Sequence, residues 1–375
     1  MAVKHRGKYR SWREQHPYEY YNEFGKQPFK IEIQLGCALI PLIDKSKDAP
    51  LIKEIRYLRN HIDAEYGLPL PNMLVRDNMC LEPDEYRILL NGTDMGGSNV
   101  YCVGYLWCFS TDKVKVAIEG IEAKAPASGR EAILIHKDKE RKAIDLGYEV
   151  IEPSIIIRMH FYEIIKQHIT KLLDQCMVNN LVEKVRKINP DVVSYVFYIN
   201  NFSVSELKLI LILLLEEDVS IRDMNTILET IADYLPDDLK PYELVEKIRQ
   251  RLAVSFISKY LEEDKKLHLI KVSLPVSEKL EELAYYPDTK VDLPYCAFDP
   301  PTRRKFLKGT TTAISLIKEK HYKPVLICVS SVRFLVKKAL CLEMPDVRVI
   351  SDMELYACKQ AFPLKLEGEL NFDGE

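Results

Sequence analysis

The chain has no CxxC pair, no long apolar run and little glycine, 14 residues in 375. Each shortage excludes something. The nine cysteines (Cys37, Cys80, Cys102, Cys108, Cys176, Cys296, Cys328, Cys341 and Cys358) are odd in number and irregularly spaced. A disulfide framework or a structural zinc site would show tight, paired spacing. Most lie among apolar neighbours, as in Leu326-Ile327-Cys328-Val329, where cysteine behaves as a small hydrophobe. They point to a reducing, cytoplasmic setting. No apolar run approaches the ~18 residues that cross a bilayer. The longest, Leu207 to Leu215, is broken by Lys208 and ends at Glu216-Glu217-Asp218, so it reads as one buried helix. Met1 to Lys30 is polar, basic and aromatic and has no signal-peptide core. The expectation is a cytoplasmic chain without a transmembrane segment.

Catalytic signatures are also missing. There is no GxxxxGK[ST] loop, no GxGxxG, no GxSxG elbow and no HExxH helix, so the usual phosphate, dinucleotide, hydrolase and zinc-protease motifs are out. Gly96-Gly97 is a lone glycine pair, read as a turn. His160 and His168 fall on one expected helix roughly 80° apart, with no third ligand in sight for a metal. Asp44, Asp77 and Asp84 sit near strand ends, where cap and turn duties explain them. No catalytic, cofactor or metal residue is named, and the reading is not an enzyme. The net charge of −3 argues against a nucleic-acid partner and against strong attraction to an anionic membrane.

What is present is core-forming sequence. Hydrophobic residues make up 47% of the chain, and at about 100–200 residues per domain the length predicts two to four domains. Residues 1–27 read as a linker: Lys4, Arg6, Lys8, Arg10, Arg13 and Lys26 outnumber Glu14, Glu19 and Glu23, with aromatics interleaved. A sticky arm and a plain connector both fit. The alternation in 29–35 predicts a strand. Asp48 as N-cap and Pro50 in the first turn predict a helix that Gly67 ends. Strands are expected at 73–76 and 86–90, and Pro41 interrupts an apolar strand end. Short strands follow at 114–118, 132–135 and 148–151, with a charged helix at 138–146. Pro153 opens a long helix that returns to the first sheet.

Residues 174–252 read as helical throughout, with starts at Ser203 and Ser220 and a last helix from Pro241 to Leu252. The remainder returns to α/β: strands at 267–272, 324–329 and 347–350, helices at 310–318 and 330–340, and a loop over 285–304. The fold class is thus α+β and multidomain. A small α/β sheet domain (28–98 plus 153–173) carries an inserted second domain (99–152). An all-helical third domain (174–252) and an α/β C-terminal domain (253–375) follow.

Several segments together resemble one family. Ile31 to Asp44, IEIQLGCALIPLID, is similar to its opening strand and loop. Arg76-Asp77-Asn78 with Leu81, Pro83 and Glu85-Tyr86-Arg87-Ile88 matches RDNxxLxPxEYRI. Gly147 to Glu152 corresponds to GYxVV[DE], and Ser220 to Thr230 to VSIRDxxTILET. Pro324-Val325-Leu326 and Val347 to Ser351 resemble its last strands. Collinear from about residue 28 to 365, these motifs resemble the cytoplasmic domain of the type III secretion and flagellar export-gate family (FlhA/InvA, FHIPEP). The resemblance implies a homo-oligomeric ring, nonameric in the family, at the cytoplasmic face of the bacterial inner membrane. Such a ring receives export substrates and their chaperones and contacts export-ATPase components through its N-terminal linker.

The family's chaperone groove carries Asp-Pro-Ala-Phe-Gly and a Thr before a His. Here the corresponding residues are Ala125-Pro126-Ala127-Ser128-Gly129 and Met159-His160. The groove positions implied by resemblance are therefore Ala125, Ser128 and Met159, all departing from the family pattern. Losing a buried aromatic anchor commonly costs more than about 2 kcal/mol of binding, which favours an injectisome member or a diverged flagellar one. Two alternatives stay open: a diverged soluble regulator, and a small-molecule or redox enzyme built on the α/β domains.

Overall fold

The computed structural model describes residues 30–102, 104–114, 116–289, 291–358 and 362–372. The expected linker, 1–27, lies outside them. The chain divides between Leu172 and Leu173 into two compact units, each α+β.

In the first unit a four-stranded sheet has the order β2-β1-β3-β4. It comprises β1 (Ile31–Leu35), β2 (Met73–Asp77), β3 (Glu85–Leu90) and β4 (Thr93–Asn99). β1 lies parallel to β2 and antiparallel to β3. The period-two pattern sends Ile31, Ile33 and Leu35 into the core, all 0% exposed. Glu32 and Gln34 stay on the other face, where Glu32 accepts from Arg76 Nε at 2.5 Å and Gln34 from Asn78 Nδ2 at 2.6 Å. Arg76 and Asn78 thus knit the polar face of the sheet.

A second sheet, β6-β7-β5-β8, is built from β5 (Tyr105–Phe109), β6 (Ile121–Lys124), β7 (Glu131–His136) and β8 (Glu149–Ile151). In sequence it falls between β4 and the helix Pro153–Gln167, which packs back against the helix Pro50–Tyr66. These two helices are α1 (Pro50–Tyr66) and α3 (Pro153–Gln167), with the short α2 (Glu140–Asp145) between them.

The second unit starts with a helical layer: α4 (Gln175–Arg186), α5 (Val204–Glu216), α6 (Met224–Tyr234) and α7 (Pro241–Ile257). α5 begins with a full capping box, Ser203 Oγ accepting from Glu206 N at 3.0 Å and Glu206 accepting from Ser203 N at 3.0 Å. Two orphan amides are satisfied at once. Its leucine run is buried inside the unit. Among the described residues no single helix is long and apolar enough to cross a membrane.

An all-parallel sheet follows, ordered β13-β12-β9-β14. Its strands are β9 (Leu267–Val272), β12 (Val325–Cys328), β13 (Arg348–Ser351) and β14 (Leu364–Leu370). Helices α8 (Leu274–Glu282), α9 (Pro300–Lys318), α10 (Ser330–Leu340) and α11 (Asp352–Ala357) connect them, with a small hairpin of β10 (Ala284–Tyr285) and β11 (Tyr295–Cys296). Parallel strands covered on both faces read as continuous apolar runs, and Val325-Leu326-Ile327-Cys328 does.

Several local expectations are corrected. Asp44, not Asp48, is the capping carboxylate: it accepts from Ser46 N at 2.9 Å and starts a short 3-10 turn. Asp48 adopts the left-handed conformation (φ 69°) and binds Lys53, while Ala49 precedes α1. The run around Pro41 is a 3-10 turn, Cys37–Leu42, burying Leu39 and Leu42, rather than a strand end. Gly96-Gly97 is not a turn but part of β4, where a Cβ on Gly97 would lie 2.0 Å from the Tyr86 carbonyl oxygen. No strand forms over the described residues of 114–118, and Ile118 N instead donates to Tyr148 Oη at 3.2 Å.

Other corrections concern helix ends. α6 is capped by Asp223, which accepts from Thr226 N at 3.0 Å, not started at Ser220. α7 runs on to Ile257. α9 begins at Pro300, inside the expected loop, because Asp299 caps it at 2.9 Å. Proline costs nothing in a first turn, whose amides have no helical partner.

Candidate functional site

A cleft of about 430 Å³ opens in the first unit, lined by Leu58, His61, Ala127, Ser128, Arg158, Met159, Tyr162 and Glu163. Three elements build it: α1, α3 and the turn between β6 and β7. The turn is set by backbone chemistry. Ala125 N donates to Arg130 O at 2.9 Å, Gly129 N donates to Ala125 O at 2.8 Å, and Gly129 sits at φ 68°. That left-handed geometry suits glycine and swings Ala127 and Ser128 toward the helices.

Of the three positions singled out by resemblance, Ser128 and Met159 line the cleft together. Ala125 is 5% exposed and is not among the lining residues. It anchors the turn. Met159, 38% exposed, offers a flexible apolar surface of the kind that adapts to varied partners. His160 leaves the cleft and faces the sheet, with Nδ1 2.6 Å from Tyr86 Oη and the rings edge-on at 5.8 Å. Burial pushes the Tyr86 hydroxyl well above its usual range and lowers the His160 imidazole, so a neutral imidazole accepts from the phenol. The pair is a structural pin between α3 and β3.

The sequence pattern left out His61, Arg158 and Tyr162. Tyr57, His61 and Glu65 are spaced i, i+4 on α1, as Arg158 and Tyr162 are on α3, but only the meeting of the two helices makes them one wall. Arg158 Nε lies 2.7 Å from Glu54 Oε2, and its guanidinium sits 4.9 Å over the Tyr57 ring. Tyr57 stacks on His61 at 6.0 Å, and His61 meets Tyr162 at 5.6 Å. Tyr162 Oη donates to Glu65 Oε2 at 3.0 Å, and His61 Nε2 is 3.3 Å from the same oxygen. The polar groups hold one another in place around an apolar floor of Leu58 and Met159. Such a surface can seat one or two side chains of a partner, with the aromatic wall and rim charges selecting among them.

The second unit carries a different surface. A π-helical turn, Ser194–Ile199, presents Tyr198 (63% exposed) and Ile199 (68%), and Ile188, just past α4, is 80% exposed. Arg186 Nη2 donates to Tyr198 Oη at 2.8 Å. A hollow of about 490 Å³ lined by Asp191, Tyr195, Asp233 and Pro236 opens in the same helical layer.

A modular α+β chain with open clefts and exposed apolar side chains is the class these features define. The sequence profile of the FHIPEP family matches residues 5–360, and the chain belongs to that family. It is 30% identical over 325 residues to the flagellar biosynthesis protein FlhA of Borreliella burgdorferi, covering 87% of this chain and 46% of that protein. The chain thus spans about half the length of the curated relatives it matches. Among solved structures, the CdsV protein of Chlamydia pneumoniae is similar with a TM-score of 0.80 at 21% identity, covering 92% of this chain and 99% of that one. The nonameric SctV-C of EPEC follows at a TM-score of 0.68 and 19% identity, covering 92% and 99%.

Proposed function

We propose that this chain is the cytoplasmic, ring-forming docking platform of a type III protein export apparatus, at the inner face of a bacterial inner membrane. It receives export substrates and their chaperones in the cleft at Ser128 and Met159. That cleft carries the proposal, because two positions inferred from the family's groove, distant in sequence, line one cavity. Family membership and a nonameric structural relative support the platform and the ring.

Its parts follow the division 28–98 plus 153–173, 99–152, 174–252 and 253–375, with 1–27 as a linker to export-ATPase components. The exposed strip Ile188, Tyr198 and Ile199 is the contact between neighbouring copies, since an apolar patch of this kind marks an interface. The platform works by binding, with no reaction step.

The test is titration of the purified chain with chaperone–substrate pairs encoded beside it. Met159→Glu puts a charge on the apolar floor and is expected to weaken binding about tenfold or more, with the melting temperature unchanged. Unaltered affinity in that variant, or no affinity in the wild type, refutes the docking role.

A further inference from the structure

The β10–β11 hairpin sets Tyr285 opposite Tyr295, with ring centroids 5.3 Å apart at 46°. The two rings are 53% and 51% exposed, and the adjacent Tyr286 is 49% exposed. A cross-strand aromatic pair stabilises a hairpin, which accounts for Tyr285 and Tyr295 but not for Tyr286. The segment that carries these rings is rich in acids. Residues 274–299 hold six acids, Glu278, Glu281, Glu282, Asp288, Asp292 and Asp299, against the two lysines Lys279 and Lys290.

Much of that negative charge meets neutral donors. Glu281 accepts from the Ser331 hydroxyl at 2.6 Å, Asp292 from the Thr289 hydroxyl at 2.6 Å, and Glu243 from Lys240 N at 2.7 Å. Such bonds orient a carboxylate without cancelling its charge. Among the described residues, Lys279 is bonded to Glu282 at 2.9 Å and Lys240 to the Pro287 carbonyl at 2.6 Å. Acids still outnumber lysines in the segment. Burial, then Glu281 and Glu243 among its neighbours, raise the Tyr286 phenol above its usual range. Tyr242, its ring tilted at 42° and 5.5 Å from that of Phe334, is pushed up to about 12 by burial and Glu243.

We propose that this tyrosine hairpin and its carboxylate rim dock a basic, lysine- or arginine-bearing segment of a partner protein. A cation seats over the paired rings of Tyr285 and Tyr295, while Glu281, close to the adjacent Tyr286, adds negative charge to the rim. Aromatic faces attract cations most strongly where water is thinned, and the acidic rim speeds encounter with a basic partner. This surface is separate from the cleft at Met159 and takes the opposite chemistry, a charged rather than an apolar anchor.

Fluorescence anisotropy with a dye-labelled peptide of alternating arginine and alanine, titrated with the full chain at low ionic strength, tests it. Tyr285→Ala with Tyr295→Ala is expected to weaken binding about tenfold, as is Glu281→Gln. Tyr285→Phe with Tyr295→Phe keeps the rings and the hairpin and should retain affinity. Equal affinity for the wild type and the double alanine variant, or no binding by the wild type, overturns the proposal.

Discussion

Arg333 and Arg249 are each at most 2% exposed and share three carboxylates. Arg333 bonds Glu217 at 2.5 and 3.0 Å and Glu246 through Nε at 2.7 Å. Arg249 reaches Glu354 at 2.6 Å and Glu217 at 3.2 Å. Removing one member strands the rest in a medium that cannot solvate them. Arg333→Ala is therefore expected to cost about 3–5 kcal/mol in urea unfolding. The two carboxylates on Arg333 diverge. Burial raises both, but two guanidiniums bring Glu217 down to about 2, whereas Glu246 stays above the usual range. A depressed carboxylate stabilises above its unfolded pKa, so the Glu217 contribution is complete above about pH 4.5 and fades toward about 2. An acid titration of wild type against Glu217→Gln reads that window: only the wild type should lose this share of stability there. None of this was legible in the sequence. Bonded partners among the five lie up to 116 residues apart, and each looks like an ordinary surface charge until the chain folds.

At the scale of elements, what could be read locally was read well. The Ser203 box, the stop at Gly67 and the apolar stretch of β12 are local devices, and they appear as expected. Errors gathered where one residue type serves two purposes. Pro300-Pro301 suits a loop or a first helical turn, and the Asp299 cap decides for the helix. Asp299→Ala should lower stability by about 1 kcal/mol, measurable as a shift in denaturant midpoint. Gly96-Gly97 suits a turn or a crowded strand. Here β3 approaches so closely that Gly97→Ala would drive a methyl into the Tyr86 carbonyl. A cost of about 1–3 kcal/mol is expected, with faster hydrogen exchange along β3 and β4 as the readout.

For the molecule as a whole, order along the chain carried most of the inference. Collinear motifs pointed to the family before any contact was known, and the family profile then matched most of the chain. The cleft was half legible: Ser128 and Met159 came from motif alignment, while Arg158, His61 and Tyr162 depended on α1 meeting α3, which no local pattern encodes. Ring formation has a direct check at this scale. Tyr198→Glu with Ile199→Glu places two charges on the proposed contact, and light scattering should then report monomers at concentrations where the wild type assembles.

The parallel sheet of the second unit also has a consequence in time. β9 is flanked by β12 and by β14, and the β14 partner begins 97 positions downstream of β9, from Leu267 to Leu364. His268, 2% exposed, donates from Nδ1 to Glu367 over 2.6 Å and stacks on Tyr322 at 3.7 Å. Lys320 and His268 together hold the Glu367 carboxyl down to about 2. A ribosome adds about 5–20 residues per second, so several seconds separate the two strands at birth. Until synthesis has passed Leu370, the nascent sheet waits with one flank of β9 bare, open to a chaperone or to a neighbouring nascent chain.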